Sequence, residues 1–353
     1  MLMREEILFW LREKDPEKLK ELWARADRLR AENVGDAVHF RGLIELSSFC
    51  RRNCLYCGIR ASRPGLTRYR LTREEALSCV QKAVDFGYGT VVIQAGEDPG
   101  IDQNFITDLI REIKARSSLI ITLSLGERKE EEWIAWKEAG ADRYLLRFET
   151  SNQILYNAIH PKAPDTVWPN RLDLLRRLRE IGYEIGSGVM IGIPGQSIDD
   201  LARDIELFQE LDLDMIGCGP YLAHPDTPLG KIEQDPDLGK QYGLPATEDP
   251  VESSNEMAFK VIALARLVCP SANIPSTTAI ATIDGKQGRT SGLSRGANVI
   301  MPNLTPMEYR ALYEIYPHKA AALETAEQTH AIAIDQVKSI GRFPGSGPGG
   351  RKK

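Results

Sequence analysis

Residues 38–57, VHFRGLIELSSFCRRNCLYC, join a short apolar strand to three cysteines spaced C-x3-C-x2-C. The strand, VHFRGLIEL (38–46), is the first of a series. TVVIQA (90–95), LIITLSL (119–125), RYLLRFE (143–149) and EIGSGVMIGI (184–193) follow it. MIGCGPYL (215–222), NIPSTTAI (273–280) and ANVIMPN (297–303) complete eight apolar runs. The stretches between them have helical periodicity and legible ends. TREEALSCVQKAVDFG opens on Thr72 with Glu75 three residues on, the capping-box pattern, and stops at Gly87. Ser197 caps SIDDLARDIELFQELD, with acidic residues in the first turn. PNRLDLLRRLREIG sets Pro169 near its start and Gly182 at its end. Strands alternating with helices imply a parallel sheet, and eight such units imply a complete (β/α)8 TIM barrel.

Working outward from that barrel, helical patterns at 4–14 and 17–32 predict an N-terminal helical extension over 1–35, followed by the barrel over 36–305. A Pro-, Gly- and Asp-rich loop (223–251) precedes a helix at 254–269. Residues 306–353 are expected to hold a C-terminal helix near 325–340. The glycine- and proline-rich tail after it, GRFPGSGPGGRKK, predicts disorder.

Composition narrows the function. The 353 residues carry 45 Lys plus Arg against 50 Asp plus Glu, a formal net charge of -5, so no excess of positive charge points to nucleic acid or an anionic membrane. No run of eighteen apolar residues occurs, and the opening MLMREEILFWLREKD is charged throughout, unlike a membrane span or secretory signal. Six cysteines, three of them within eight residues, suit a metal site in a reducing cytoplasm better than a disulfide framework.

Cys50, Cys54 and Cys57 follow the first strand, on the face where barrel loops build active sites. Three thiolates fall one short of the four ligands a 4Fe–4S cluster normally takes, so one iron would remain open to a non-protein ligand. A structural zinc site would need a fourth protein ligand, and His39, the nearby histidine, lies at the far end of the strand. Cys79, Cys218 and Cys269 read as small buried hydrophobes.

Alternation along the strands sorts the rest. In RYLLRFE, Tyr144, Leu146 and Phe148 share the face suited to outer helices, and Arg143, Leu145, Arg147 and Glu149 the inner one. Inward charges are costly unless paired or functional, and an internal Arg147–Glu149 ion pair is the purely structural alternative. Thr122 and Ser124 share a face, Thr277 and Thr278 close the seventh strand and Asn303 the eighth, so polar groups gather above the barrel floor. Arg171 could hold a carboxylate by bidentate contact.

The cysteine spacing, with the aromatic Tyr56 directly before the third Cys, resembles the radical S-adenosylmethionine superfamily. The resemblance implies one three-cysteine 4Fe–4S cluster whose open iron binds the amino and carboxylate groups of S-adenosylmethionine and yields a 5′-deoxyadenosyl radical. Gly96-Glu97-Asp98 resembles the turn that holds the amino group, and Gly192-Ile193-Pro194-Gly195 the support of the adenine. QAGEDP, ITLSLGE, YLLRFET, GPYLAHPDTPL and GANVIMPN resemble the HydE family, maturases of the iron-only (FeFe) hydrogenase active site, over about residues 34–306. That family implies radical attack on the sulfur of a cysteine-bound iron dicarbonyl-cyanide precursor. The partners it implies are a substrate-producing radical enzyme, a scaffold GTPase, and flavodoxin or ferredoxin as electron donor. By position, Glu149 and Arg171 resemble cofactor contacts. Thr122, Ser124, Arg147, Met215, Thr277, Thr278, Asn303 and Tyr309 resemble the cavity lining. Three departures stand out: Ala95 for the usual serine, Phe148 for histidine, and no cysteine in YRALYEIYPHKAAALETAEQ (309–328), so a single cluster is expected. The alternatives are a methylornithine synthase-like lysine mutase or another small-molecule radical S-adenosylmethionine enzyme, or a non-catalytic iron–sulfur or zinc module.

Overall fold

The computed structural model describes every residue except 1, 163–167, 169, 233, 234, 236, 321, 352 and 353. Pro169, expected at a helix start, lies outside the described residues. Two helices, α1 (Arg4–Arg12) and α2 (Pro16–Val34), precede β1 (Ala37–Ser47). Then come α3 (Arg73–Asp85), β2 (Thr90–Ala95), α4 (Gln103–Arg116), β3 (Ile120–Ser124), α5 (Glu130–Ala139) and β4 (Arg143–Leu145). Helices α6 (Gln153–Ile159) and α7 (Arg171–Ile181) lead to β5 (Glu184–Ser187) and β6 (Met190–Ile191). Helix α8 (Ile198–Glu210) leads to β7 (Met215–Ile216) and β8 (Gly219–Pro220). The expected loop at 223–251 carries two short helices, α9 (Pro228–Ile232) and α10 (Asp237–Gln241). Last are α11 (Asn255–Val268), α12 (Thr278–Leu293), β9 (Val299–Ile300), α13 (Met307–Arg310), α14 (Ala326–Ser339) and β10 (Phe343–Pro344).

The strands make a curled parallel sheet in the order β10-β1-β2-β3-β4-β5-β7, with β9 also paired to β1. The capping box at Thr72 and Glu75, the Ser197 cap and the left-handed Gly182 end their helices as the sequence indicates. Phe148 packs outward on Phe208 of α8, and Tyr144 on Trp133 of α5. Helices α1 and α2 lie against α8 and α11, in the outer layer.

Three expectations need correction. Residues 273–280 are not a strand: Asn273 and Pro275 make single bridges to Met215 and Val299, and α12 begins at Thr278. Pro275 has no N–H to give a ladder, and extended Thr277 occupies the N-cap position instead. The fifth and sixth runs are each broken into two short strands, with β6 pairing β8 in a separate small sheet. Gly188 explains the break, because a Cβ there would lie 1.9 Å from the Gly217 carbonyl oxygen. Finally, the tail expected to be disordered is placed through Arg351: β10 pairs in parallel with Ala37–Val38, and the segment beyond it runs beneath the sheet.

Candidate active site

The loop after β1 is held at both sides of its cysteines. The Arg51 amide donates to the Glu97 carbonyl, Leu55 to Ile159 and Gly58 to Ile315. Cys50, Cys54 and Cys57 are free thiols that open on one cavity of about 360 Å³. Burial pushes the Cys54 thiol up to about 12, and Cys57 and Cys50 are raised for the same first reason. The loop therefore favours neutral thiols until a cationic centre offsets the buried charge.

Around the loop lies a buried ionic network. Glu97 stands 3.9 Å from Arg52, and Glu127 stands 3.6 Å from Arg52 and 3.0 Å from Arg171. Burial raises the Glu97 carboxyl, and Arg52 opposes that shift. Gly126 makes the arrangement possible: its φ is +76°, and a Cβ there would come within 2.0 Å of Glu97 Cγ. The Arg171 guanidinium also donates to the Arg147 carbonyl at 2.7 Å.

Beside it, Arg147 forms an ion pair with Glu149 at 3.0 Å and donates to the Val189 carbonyl at 2.5 Å. Glu149 has φ +66°, a left-handed conformation that costs a non-glycine residue about 1 kcal/mol or more. Its amide and carbonyl are bonded to Gly188 and Met190, which hold the strained residue in place. Tyr56 meets the same wall, its hydroxyl 2.9 Å from His160 Nε2. The other ring nitrogen of His160 faces the Tyr156 carbonyl at 3.2 Å, so Nδ1 carries the proton and Nε2 accepts from Tyr56.

The cavity gathers most of the residues singled out in the sequence. Gly96 and Glu97 line it together with Tyr56, Glu149, Arg171 and Arg147. So do Thr122, Ser124, Met215, Thr277, Thr278 and Asn303. Three others do not line it. Tyr309 stacks on Tyr69 with ring centroids 4.8 Å apart, and its hydroxyl donates to Glu75 of α3, which keeps it on the outer layer. The Asp98 carboxylate is occupied by Arg70 and by Ser47, each at 2.6 Å, and so braces the turn after β2. Ile193 is buried with Leu55, Met190 and Tyr221 behind the wall.

Several lining residues escaped the sequence reading. Arg41 and Glu45 share the inward parity of β1, a signal that was available. Lys319 stands 2.7 Å from Glu45, whose other oxygen accepts from Asn303 at 2.9 Å. Tyr313 and Lys319 come from a segment without periodicity, so no pattern announced them.

The donor set fits a multi-iron cluster better than a single ion. No group of three or more His, Cys, Asp or Glu side chains among the described residues is placed to hold one metal ion. A cluster spreads its ligands over separate irons. Buried atoms with no hydrogen-bond partner, among them Glu97 Oε2, Glu149 Oε2, Arg52 Nη1, Thr122 Oγ1 and Thr277 Oγ1, line the same space. Such unmet capacity suits a polar ligand with amino and carboxylate groups.

Comparison with known proteins agrees with this chemistry. The model of the radical SAM superfamily matches residues 44–208. The chain is 45% identical to the FeFe hydrogenase maturase subunit HydE of Thermotoga maritima, over 94% of this chain and 89% of that one. It is 26% identical to 3-methylornithine synthase of Methanosarcina acetivorans, over 93% and 86% of the two chains. The crystal structure of methylornithine synthase shares the fold, with a TM-score of 0.79 at 22% identity over 98% of this chain and 94% of that one. Among the described residues no helix is long and apolar enough to cross a membrane.

Proposed function

The chain belongs to the HydE family of radical S-adenosylmethionine maturases of FeFe hydrogenase, and from that premise we propose how its own residues divide the work. It is an enzyme that uses a 4Fe–4S cluster and S-adenosylmethionine. Its sheet is read as a complete (β/α)8 barrel, a reading supported by the bridges from Met215 to Asn273 and from Pro275 to Val299.

Cys50, Cys54 and Cys57 would hold the cluster, which when bound supplies the electron that splits the sulfonium into methionine and a 5′-deoxyadenosyl radical. Arg171, Glu149 and the Gly96-Glu97 turn bind the amino-acid end of S-adenosylmethionine, with Asp98 bracing that turn. Tyr56, aligned by His160, offers a flat face to the adenine, and Ile193 packs behind that wall. Arg147, now engaged with Glu149, turns to an anionic substrate with Thr122, Ser124, Thr277, Thr278 and Asn303, while Met215 keeps that space apolar on one side. The substrate we assign is a cysteine-bound iron dicarbonyl-cyanide precursor, modified at sulfur.

Its partners in this reading are a substrate-producing radical enzyme, a scaffold GTPase, and flavodoxin or ferredoxin as electron donor, in a reducing cytoplasm. The higher identity to HydE, 45% against 26%, weighs against the lysine-mutase alternative.

The observation that carries the reading is that the three cysteines open on the same cavity as Arg147, Glu149 and Arg171. The test is anaerobic reconstitution with iron and sulfide, followed by dithionite and S-adenosylmethionine. A brown protein that forms 5′-deoxyadenosine and restores hydrogenase maturation in a lysate lacking it is expected. A colourless protein that binds zinc overturns the assignment.

A further inference from the structure

The cavity reaches well below the cysteine loop. Arg41 lines it six residues before the end of β1, about 20 Å down at about 3.3 Å per residue. A packed barrel would close this level with layers of branched apolar side chains. Here the level holds His39, Arg41, Thr90, Arg143 and Glu184, and beneath it lies main chain from residues 343–351.

That segment crosses under the sheet as a strap fastened at both ends. At one end Arg342 donates to the carbonyls of Asp36, Leu293 and Ala297 at 3.0–3.1 Å, and Gly345 donates to Val38 at 2.8 Å. At the other, Arg351 reaches Ser271 at 2.8 Å and the Asp212 carboxylate at 2.5 Å, beside β7. Between the fastenings the strap gives its carbonyls upward. Pro348 accepts from Thr90 at 3.0 Å and from Arg143 at 3.3 Å, and Gly349 accepts from Arg41 at 3.3 Å.

The glycines are what allow this fit. A Cβ on Gly89 would lie 1.7 Å from the Gly347 carbonyl oxygen, and one on Gly349 would lie 2.4 Å from the His39 ring. The composition that reads as disorder is thus the composition needed to slide a backbone under the strands.

Arg41 shows what the strap does for the cavity. It is 4% exposed and has no carboxylate within ion-pair distance among the described residues, and its Nε has no partner. Its hydrogen bond to a neighbouring group runs to the strap. Burial, reinforced by Arg143, lowers this guanidinium to about 9. Without the strap, water would reach it from below and the cavity would open at both ends.

We propose that residues 343–351 are the floor of the reaction chamber, closing the barrel end opposite the cysteine loop and fixing Arg41 as the chamber's lower wall. This rests on the functional reading above only for the word reaction; the closure itself is a property of the fold.

The test introduces one thiol at the floor, Thr90→Cys, in the reconstituted holoenzyme, where the cluster cysteines are occupied. Maleimide labelling of that thiol is timed in three proteins: the full chain, a chain ending at Arg342, and the full chain carrying Gly89→Ala. The Gly89 variant keeps every residue of the strap but displaces it, which covers the case of a truncated chain that does not fold. Labelling at least tenfold faster in either variant, with S-adenosylmethionine affinity within twofold of the parent, supports the floor. Labelling equally slow in both, or already fast in the parent, overturns it. If the variants label faster than a slow parent but the parent forms no 5′-deoxyadenosine, the functional reading fails while the floor stands.

Discussion

The two ends of the cavity are both crowded with arginine, and they satisfy it to different degrees. At the cysteine end, Arg52, Arg147, Glu97 and Glu149 are ion-paired, yet each keeps a buried atom with no hydrogen-bond partner. At the floor, Arg143 is bonded to Glu184 at 2.6 Å, to Thr90 and to Pro348, and Arg342 is bonded to four carbonyls, so that Arg41 Nε and His39 Nδ1 are the unmet atoms among the floor residues named above. A buried polar atom left unpaired costs about 1–3 kcal/mol, so a concentration of them at one end is sustained only where a ligand later completes the bonding. Inward charge alone therefore does not mark a binding site. A concentration of unmet hydrogen-bonding capacity around one open space is the better mark, and it gathers at the cysteine end.

The largest effects break the comparison at its top. Ala at Cys50, Cys54 or Cys57 should each abolish both iron retention and the formation of 5′-deoxyadenosine. Ala at Cys79, Cys218 or Cys269, all buried away from the loop, should leave about four irons per chain. Iron analysis after reconstitution checks both halves, and cleavage activity that survives loss of any one loop cysteine would remove the cluster assignment.

Next in size is the Arg147–Glu149 pair. Truncating a partly buried, charge-assisted contact costs about 1.5–3 kcal/mol, roughly 10- to 150-fold in affinity. Arg147→Ala should keep the cluster and still cleave S-adenosylmethionine slowly without substrate, yet fail to mature hydrogenase. Glu149→Ala should weaken S-adenosylmethionine itself, as read by titration. Normal maturation by both variants would make the pair a structural bond, like Arg143 with Glu184.

How much of this could be read in advance follows from where the periodicities are clean. From β1 through α7, strands, caps and the cysteine loop lie where patterning puts them, because the elements there are regular and Thr72 and Gly182 cap their helices. From β5 onward the chain was less legible for identifiable reasons. Pro275 and Thr277 turn an apolar run into a cap and a helix, and Gly188 with Gly217 splits two strands by close approach. Tyr313 and Lys319 enter the cavity from an aperiodic segment. Residues 343–351 carry a disorder-like composition whose glycines fit beneath the sheet, a tertiary fact with no local signature. Family resemblance identified the lining of the upper cavity but also offered Tyr309, whose hydroxyl is spent on Glu75.

A smaller effect concerns His160, which sits at the cysteine end but is fully bonded, as Arg143 is at the floor. Burial, with Arg171 adding to it, holds its pKa well below 6.5. The unfolded chain binds a proton at this histidine below about 6.5 while the folded imidazole stays neutral. The stability it contributes is therefore complete above 6.5 and is lost as pH falls from there towards the folded value, at a slope of up to about 1.4 kcal/mol per pH unit. His160→Gln should flatten that acid limb in denaturant titrations run from pH 7 to pH 5, and an unchanged limb would mean that His160 is not held neutral.

The smallest effects sharpen the comparison most directly, because two inward threonines on neighbouring strands stand at its two poles. Thr90 on β2 donates to the Pro348 carbonyl; Thr122 on β3 lines the upper cavity and its hydroxyl has no partner. Valine is nearly isosteric with threonine and removes only the hydroxyl. Thr90→Val should lower stability by about 1 kcal/mol, since it removes the bond Thr90 gives to Pro348 and the one it accepts from Arg143, and should leave S-adenosylmethionine affinity unchanged. Thr122→Val should leave stability within about 0.5 kcal/mol or raise it, since it deletes an unmet group, and should instead reduce maturation by weakening the hold on substrate. Denaturant midpoints and maturation yields for the two variants give a crossed pattern if the ends differ as described. A parallel pattern, with both losing stability or both losing maturation, would mean that the two threonines do the same work and that unmet hydrogen bonding does not separate the site from the floor.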